Sequence, residues 1–429
     1  MSILINSSTI TKAALVMLEN NLVAGNKIDW SYSDKFAVQD NKIGASLSIR
    51  RPVFGNIQTN NMAWTSATAQ VTETRVNLAI NSTYTVALQF TDADLALRLE
   101  RFIDRYIKPI LSQVAAKFDL AIGDAISNCG AAGTSAFTGQ ASDIQKQVGG
   151  MWVAGSFSTA LSADTLVYAK QLLLDAGCPD DGDIYGVLTT KGNRQLVTTF
   201  QNLFNPSEEI AKVYKKGYIG GYNGIEFATS QSTAAHTNGG QATLAIGAGS
   251  AVLTAGWAET GTFTVTSTTS AINAGDVFTV AGVYAVNPLT KVQTTNLQQF
   301  TVVNSYTAGT TALEVSPAPI TGGEYQNIST TVASKTATLV DAAGATGQEG
   351  YIFHKSAIVA ASPELTLPKS SSFNMAEYER SEITELGVRL LQGFDMYGVG
   401  GAVGMNTRID VVFGLKIVRP ELIVRIRSN

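Results

Sequence analysis

Few residues in this chain are equipped for chemistry. His236 and His354 are its two histidines, and Cys129 and Cys178 its two cysteines. Histidine serves as a general base or a metal ligand, but either role needs partners, an acidic orienter or further donors. Neither histidine has a nearby cysteine or acidic pair. They flank a segment of distinct composition, whose ends would bring them close, and are expected to be ordinary surface or junction residues. The thiols lie far apart in sequence and are expected to be buried and free. Asp180-Asp181-Gly182-Asp183 begins like a calcium loop but lacks the twelve-residue spacing and terminal Glu, so it reads as a turn. Gly398-Val-Gly-Gly-Ala-Val-Gly404 invites a dinucleotide reading. A strand rather than a helix follows it and Asp410 comes too soon, so it too reads as a turn. No nucleophile, base and acid stand together. The expectation is a non-enzyme with no cofactor and no metal.

Composition points elsewhere. Of 429 residues only 15% are charged while 45% are hydrophobic. A surface so poor in charge suits burial against other chains. The net charge of −4 argues against a dedicated nucleic-acid reader. The main basic clusters are Lys212, Lys215 and Lys216, and Arg419, Arg425 and Arg427. They are expected to meet acidic patches on neighbours rather than DNA. No apolar run approaches the ~20 residues of a membrane span. Met1–Val16 lacks a basic start and a cleavage site, so the chain is expected to be made and kept in a cytoplasm.

The element that would position everything else runs from Thr91 to Gly130. Its apolar residues, from Leu95 to Ala125, recur in steps of three and four and draw one stripe along a helix. Thr91 is the expected N-cap and Gly130 the expected stop. Pro109 sits near the middle and predicts a bend, because the stripe resumes in phase at Ile110. Before this spine, residues 1–45 form an arm with a helix over Thr9–Ala24. Trp30, Tyr32 and Phe36 follow it and need something to pack on, a neighbouring chain being one option. Residues 46–90 read as an extended β-loop, with strands over Ser46–Arg51 and Val76–Phe90. Arg50 and Arg51 lie across it from Glu73 and Arg75, for pairing within the hairpin or between subunits.

After the spine, helices over Ser162–Gly177 (Ser162 the expected cap, Gly177 the stop), Lys191–Phe204 and Glu208–Lys216 alternate with strands over Asp183–Thr189 and Gly224–Thr229, as in a mixed α and β unit. From about residue 237, Thr, Val, Ala and Gly dominate and short strands follow one another, predicting an inserted all-β domain over 238–346. Mixed character then returns, with a strand-and-helix segment over Tyr351–Ala361 and strands over Gly387–Asp395, Thr407–Phe413 and Glu421–Ile426.

This order resembles the major capsid (coat) protein of tailed double-stranded DNA phages, with the Hong Kong phage capsid fold. The nearest likeness is the short-tailed podophage type that carries an inserted β-barrel. The phrases that match are Gly44-Ala-Ser-Leu-Ser-Ile-Arg-Arg-Pro52, Leu99-Glu-Arg-Phe-Ile-Asp-Arg-Tyr-Ile-Lys-Pro-Ile110, Gly217-Tyr-Ile-Gly-Gly-Tyr-Asn-Gly-Ile-Glu-Phe227, Ala274 to Pro288, and Asn406 to Gly414. The resemblance implies an α+β fold: arm 1–45, β-loop 46–90, and spine helix with peripheral domain 91–150. Beyond these it implies axial domain 151–237 and 347–386, β-barrel 238–346, and peripheral C-terminal strands 387–429. It implies self-assembly into hexamers and pentamers of an icosahedral shell. Expected partners are a scaffolding protein, a portal, a decoration protein and weakly bound packaged DNA, with residence in the virion. A cellular nanocompartment shell of the same fold and a β-rich surface adhesin are the rival readings. Trp30, Tyr32, Phe36, Arg50, Arg51, Glu73, Arg75 and Pro109 are the assembly candidates.

Overall fold

The computed structural model describes residues 7–33, 46–55, 73–80, 82–91, 107–130, 145–201, 220–365, 367, 375–380, 386–395 and 404–429. The described part of the spine is the helix Lys108–Ser127. Of the stripe read from the sequence, Leu111, Val114, Phe118, Ala121, Ile122 and Ala125 are buried and Ile110 is half-buried; Ala115 and Ile126 join them, so the stripe is the core face. Pro109 lies in its first turn, where the missing amide hydrogen costs nothing. Ile107 already has helical dihedrals. Residues 92–106, on which the expected bend depends, lie outside the described residues. Thr91 ends a strand. The helix closes through left-handed Cys129 and Gly130, with the Gly130 amide donating to Asp124 O.

Two sheets flank the spine. One runs in the order 152–155, 423–427, 350–354, 184–189, 225–230 and 221–222. The pairs 423–427 with 152–155 and 184–189 with 225–230 are parallel, and the rest antiparallel. The helix Ala163–Asp175 packs on it, with Ser162 Oγ accepting from the Thr165 amide as the expected N-cap. The second sheet centres on the long strand Gly404–Ile417. Strands 387–395 and 375–380 follow on one side, and 358–361 and 82–91 share the other. The arm helix Ser7–Asn21 lies between this sheet and the spine.

Residues 243–339 make a third sheet, of six strands, ordered 261–264, 312–316, 293–302, 277–286, 336–339 and 243–245. The first and last strands meet where Ile246 bridges Val265, and Thr266 N donates to Ala245 O. The sheet thereby closes into a barrel around its own core of Phe263, Phe278, Phe300, Val302, Leu313 and Ile328. The chain leaves and re-enters through a two-stranded ribbon in which Thr237 faces Thr346 and Ala235 faces Gln348.

Three expectations need correction. The segment Val76–Phe90 is two strands rather than one. Arg75–Ala79 pairs with Ser46–Arg50, whereas Ser82–Thr91 joins the second sheet against Gly404–Phe413. The last strand, Ile423–Arg427, sits in the first sheet and not with 387–417, because its five residues are all buried and need cover on both faces. Tyr351–Ala361 is two strands about a single turn rather than strand and helix.

Candidate assembly site

The arm meets the spine at one buried carboxylate. Asp119 accepts hydrogen bonds from three successive amides where the arm leaves its helix: Val23 at 2.8 Å, Ala24 at 3.1 Å and Gly25 at 3.0 Å. Burial pushes its carboxyl up to about 6, and the three amides only partly offset that. Trp30 stacks on Phe118 at 5.8 Å and donates from Nε1 to Gly25 O at 2.8 Å. A side chain at Gly25 would run into the Phe118 ring, so glycine admits the close approach. Phe118 in turn meets Phe413 edge-on at 4.6 Å, joining arm, spine and sheet in one cluster. Trp30 is therefore packed within its own chain, not held out to a neighbour. Tyr32 packs half-buried beside the Ile49, Leu78 and Val412 cluster. Phe36 lies outside the described residues.

At the base of the β-loop, Arg50 faces Arg75 across the ladder, and Glu73 sits between them. Arg50 Nη1 reaches Glu73 Oε1 at 3.2 Å and Arg75 Nη2 reaches Oε2 at 3.4 Å, all three exposed. Arg51 does something else. It donates to Glu421 Oε1 at 2.7 Å and lies over the Trp257 ring at 4.7 Å. Arg419 reaches the same Glu421 oxygen at 3.3 Å. Burial opposes ionisation of Glu421, yet the two guanidinium groups hold its carboxyl below the usual range.

The ribbon leading to the barrel covers a third site. Glu349 accepts from Arg427 Nε at 2.6 Å, with Arg425 Nη1 at 3.7 Å, and none of the three touches solvent. Arg425 also donates to the carbonyls of Ser127, at the spine's end, and Gly275, in the barrel. Burial raises the Glu349 carboxyl, but Arg425, Arg427 and His236 more than reverse this and bring it to about 2. His236 bridges Asn128 Oδ1 at 2.8 Å and Asp276 Oδ1 at 3.2 Å. His354 contacts Ser356 and Asp181 instead. Both histidines are buried in separate hydrogen-bonded settings rather than at the surface. Arg425 and Arg427, expected to reach neighbours, are internal for the same reason that their strand is: both faces are covered.

The expected helix Glu208–Lys216 and its basic residues Lys212, Lys215 and Lys216 lie outside the described residues. Asp181 Oδ1 accepts from the Asp183 amide, the expected turn. The cysteines are free and buried, and burial pushes both thiols up to about 12. Strands 387–395 and 404–417 are antiparallel neighbours, and residues 396–403, which hold most of the glycine-rich motif, lie outside the described residues. Among the described residues no group of three or more His, Cys, Asp or Glu is placed to hold a metal ion. Nor is any helix among them long and apolar enough to cross a membrane.

Residues 6–425 match the family model described as P22 coat protein, gene protein 5. The chain belongs to the P22 coat protein family. No curated protein matches it. Its structure is similar to one titled Mycobacterium phage Che8, at a TM-score of 0.43 and 12% identity, covering 95% of this chain and 91% of that one. It is also similar to the mature capsid of bacteriophage PhiM1, at 0.42 and 10%, covering 95% and 86%. A third is the capsid of Helicobacter pylori bacteriophage KHP30, at 0.42 and 9%, covering 92% and 87%. Each of the three contact sites ties a separate segment, the residues after the N-terminal helix, the 46–55 segment or the barrel, to the same body.

Proposed function

We propose that the chain is the major capsid protein of a tailed double-stranded DNA bacteriophage, self-assembling into the hexamers and pentamers of an icosahedral shell. The observation that carries this is the family match from residue 6 to residue 425. The role is structural and non-catalytic. The family disfavours both the nanocompartment and the adhesin readings.

In this reading residues 1–45 are the arm, 46–80 the β-loop, and 238–346 the outward barrel. The spine with strands 82–91 and 387–417 forms the peripheral domain. The sheet containing 152–155, 184–189, 225–230, 350–354 and 423–427 forms the axial one. The exposed Arg50, Glu73 and Arg75 support contact between subunits at the β-loop. A scaffolding protein, a portal and a decoration protein are its proposed partners. Packaged DNA is met weakly, since Arg425 and Arg427 are spent internally. Assembly takes place in the bacterial cytoplasm and the product is the virion.

Negative-stain electron microscopy of the purified chain, with and without co-expressed scaffolding protein, tests the reading. Closed shells are expected. A compact monomer that persists at high concentration under both conditions overturns it.

A further inference from the structure

The segment Arg51–Gly55 leaves the first β-loop strand and crosses to the barrel. Arg51 N still donates to Thr74 O, and Pro52, which has no amide hydrogen to give, ends the ladder there. The segment is fastened at two points. The first is Arg51, bonded to Glu421 in the body at 2.7 Å and lying over Trp257 of the barrel at 4.7 Å. The second is Phe54, edge-on to Tyr325 of the barrel at 5.7 Å, with Lys291 Nζ at 5.9 Å from its ring. Between them Pro52 and Val53 are exposed. Beneath lies a cavity of about 90 Å³ lined by Trp152, Trp257, Tyr325 and Glu421. A segment fastened at its ends over a cavity has few contacts to lose when it lifts.

We propose that Arg51–Gly55 is a strap that couples the direction of the β-loop to the position of the barrel, so that the two move as one unit while it is closed. One guanidinium touches both the body and the barrel, and one phenyl ring touches the barrel alone. Releasing both frees the loop without disturbing the hairpin base, which has its own apolar anchor in Ile49, Leu78 and Ile80. The coupling stands on contacts within one chain. Its consequence, a joint setting of two outward contacts in each shell subunit, rests on the capsid reading.

The test is a pulsed-EPR distance between spin labels at Gly55→Cys and Ala308→Cys in the full-length chain. Gly55 has open space where a side chain would go, and Ala308 is exposed on the barrel. Cys129 and Cys178 are buried and poorly ionised, so labelling is selective. A single narrow distance is expected. The double variant Arg51→Ala with Phe54→Ala should lose it, and Trp257→Leu, made from the barrel side, should weaken it. Circular dichroism confirms that each variant is folded. A parental distribution that is already broad, or one unchanged in folded Arg51→Ala with Phe54→Ala, overturns the strap. Since the readout is taken on unassembled chain, its failure is distinct from failure to form shells.

Discussion

Glu349 and Arg427 meet at 2.6 Å with no part of either exposed to solvent. One residue returns the chain from the barrel, and the other sits in the last strand of the body. Arg425 joins them and reaches the spine's last turn. An ion cluster where three units touch makes the barrel's attachment directional, since guanidinium and carboxylate bond only in defined geometry.

Replacing Glu349 by Gln removes the carboxylate that both buried guanidinium groups share and leaves Arg427 only Asp341, at 4.0 Å. The expected loss is about 3–5 kcal/mol of unfolding free energy, read from urea titration. The wild-type contribution is pH-dependent with a definite sign. The Glu349 carboxyl lies at about 2, below its ordinary 4.5. Its stabilisation is therefore full above pH 4.5 and lost as pH falls from there toward 2. Acid titration should show a loss over this window that Glu349→Gln lacks.

Asp119 predicts the opposite trend. Its carboxyl is raised from 3.8 to about 6, so the folded state holds a proton that the unfolded chain has released. Its contribution is full below pH 3.8 and lost as pH rises through 6, by on the order of 3 kcal/mol. Asp119→Ala should remove that slope. The same substitution leaves the Val23, Ala24 and Gly25 amides without their acceptor, and hydrogen exchange should show protection falling at those three positions. Unchanged exchange there would mean that the stack of Trp30 on Phe118 holds the arm alone.

Gly275 is a packing requirement. Its φ is +93°, and a Cβ there would overlap the carbonyl oxygen of Ser127. Gly275→Ala forces the barrel off the end of the spine and breaks the Arg425 bridge that spans both. A loss of about 3 kcal/mol or more, seen as a lowered thermal midpoint and a reduced soluble yield, is the expected result.

The β-loop ion pairs separate folding from assembly. Arg50, Glu73 and Arg75 are exposed, so Glu73→Gln should change the stability of the unassembled chain by less than about 1 kcal/mol. A clear change in the yield or salt sensitivity of closed shells, with the monomer unaffected, would place these residues between subunits. An equal, small effect on both would confine them to the hairpin.

Local signals in the chain were readable. The stripe from Leu111 to Ala125, the Ser162 cap and the strand 387–395 all depend on residues near one another in sequence, and each is where periodicity and capping chemistry put it. A composition change marks the strand-rich stretch after residue 237, and the strands from 243 to 339 surround a core of their own. Partner choice was not readable. Val76, Leu78, Ile80, Tyr84, Val86 and Leu88 keep one phase of alternation, so nothing in the pattern shows that the chain changes sheets near residue 81. Arg425 and Arg427 likewise read as a basic face, since no local pattern says that a strand will be covered on both sides. The same limit applies to Trp30. Its need for a packing surface was plain, but only the folded chain shows that Phe118 supplies it.

The sequence by itself therefore determined most of the helices and strands, though not the break near residue 81 or the two strands of Tyr351–Ala361, and which family the whole belongs to, because those properties are written in spacing and order. Only the tertiary structure decided which charges are internal, which strands are neighbours, and where the arm and β-loop are fastened. Burial and pairing depend on residues tens to hundreds of positions away, and local periodicity carries no record of them.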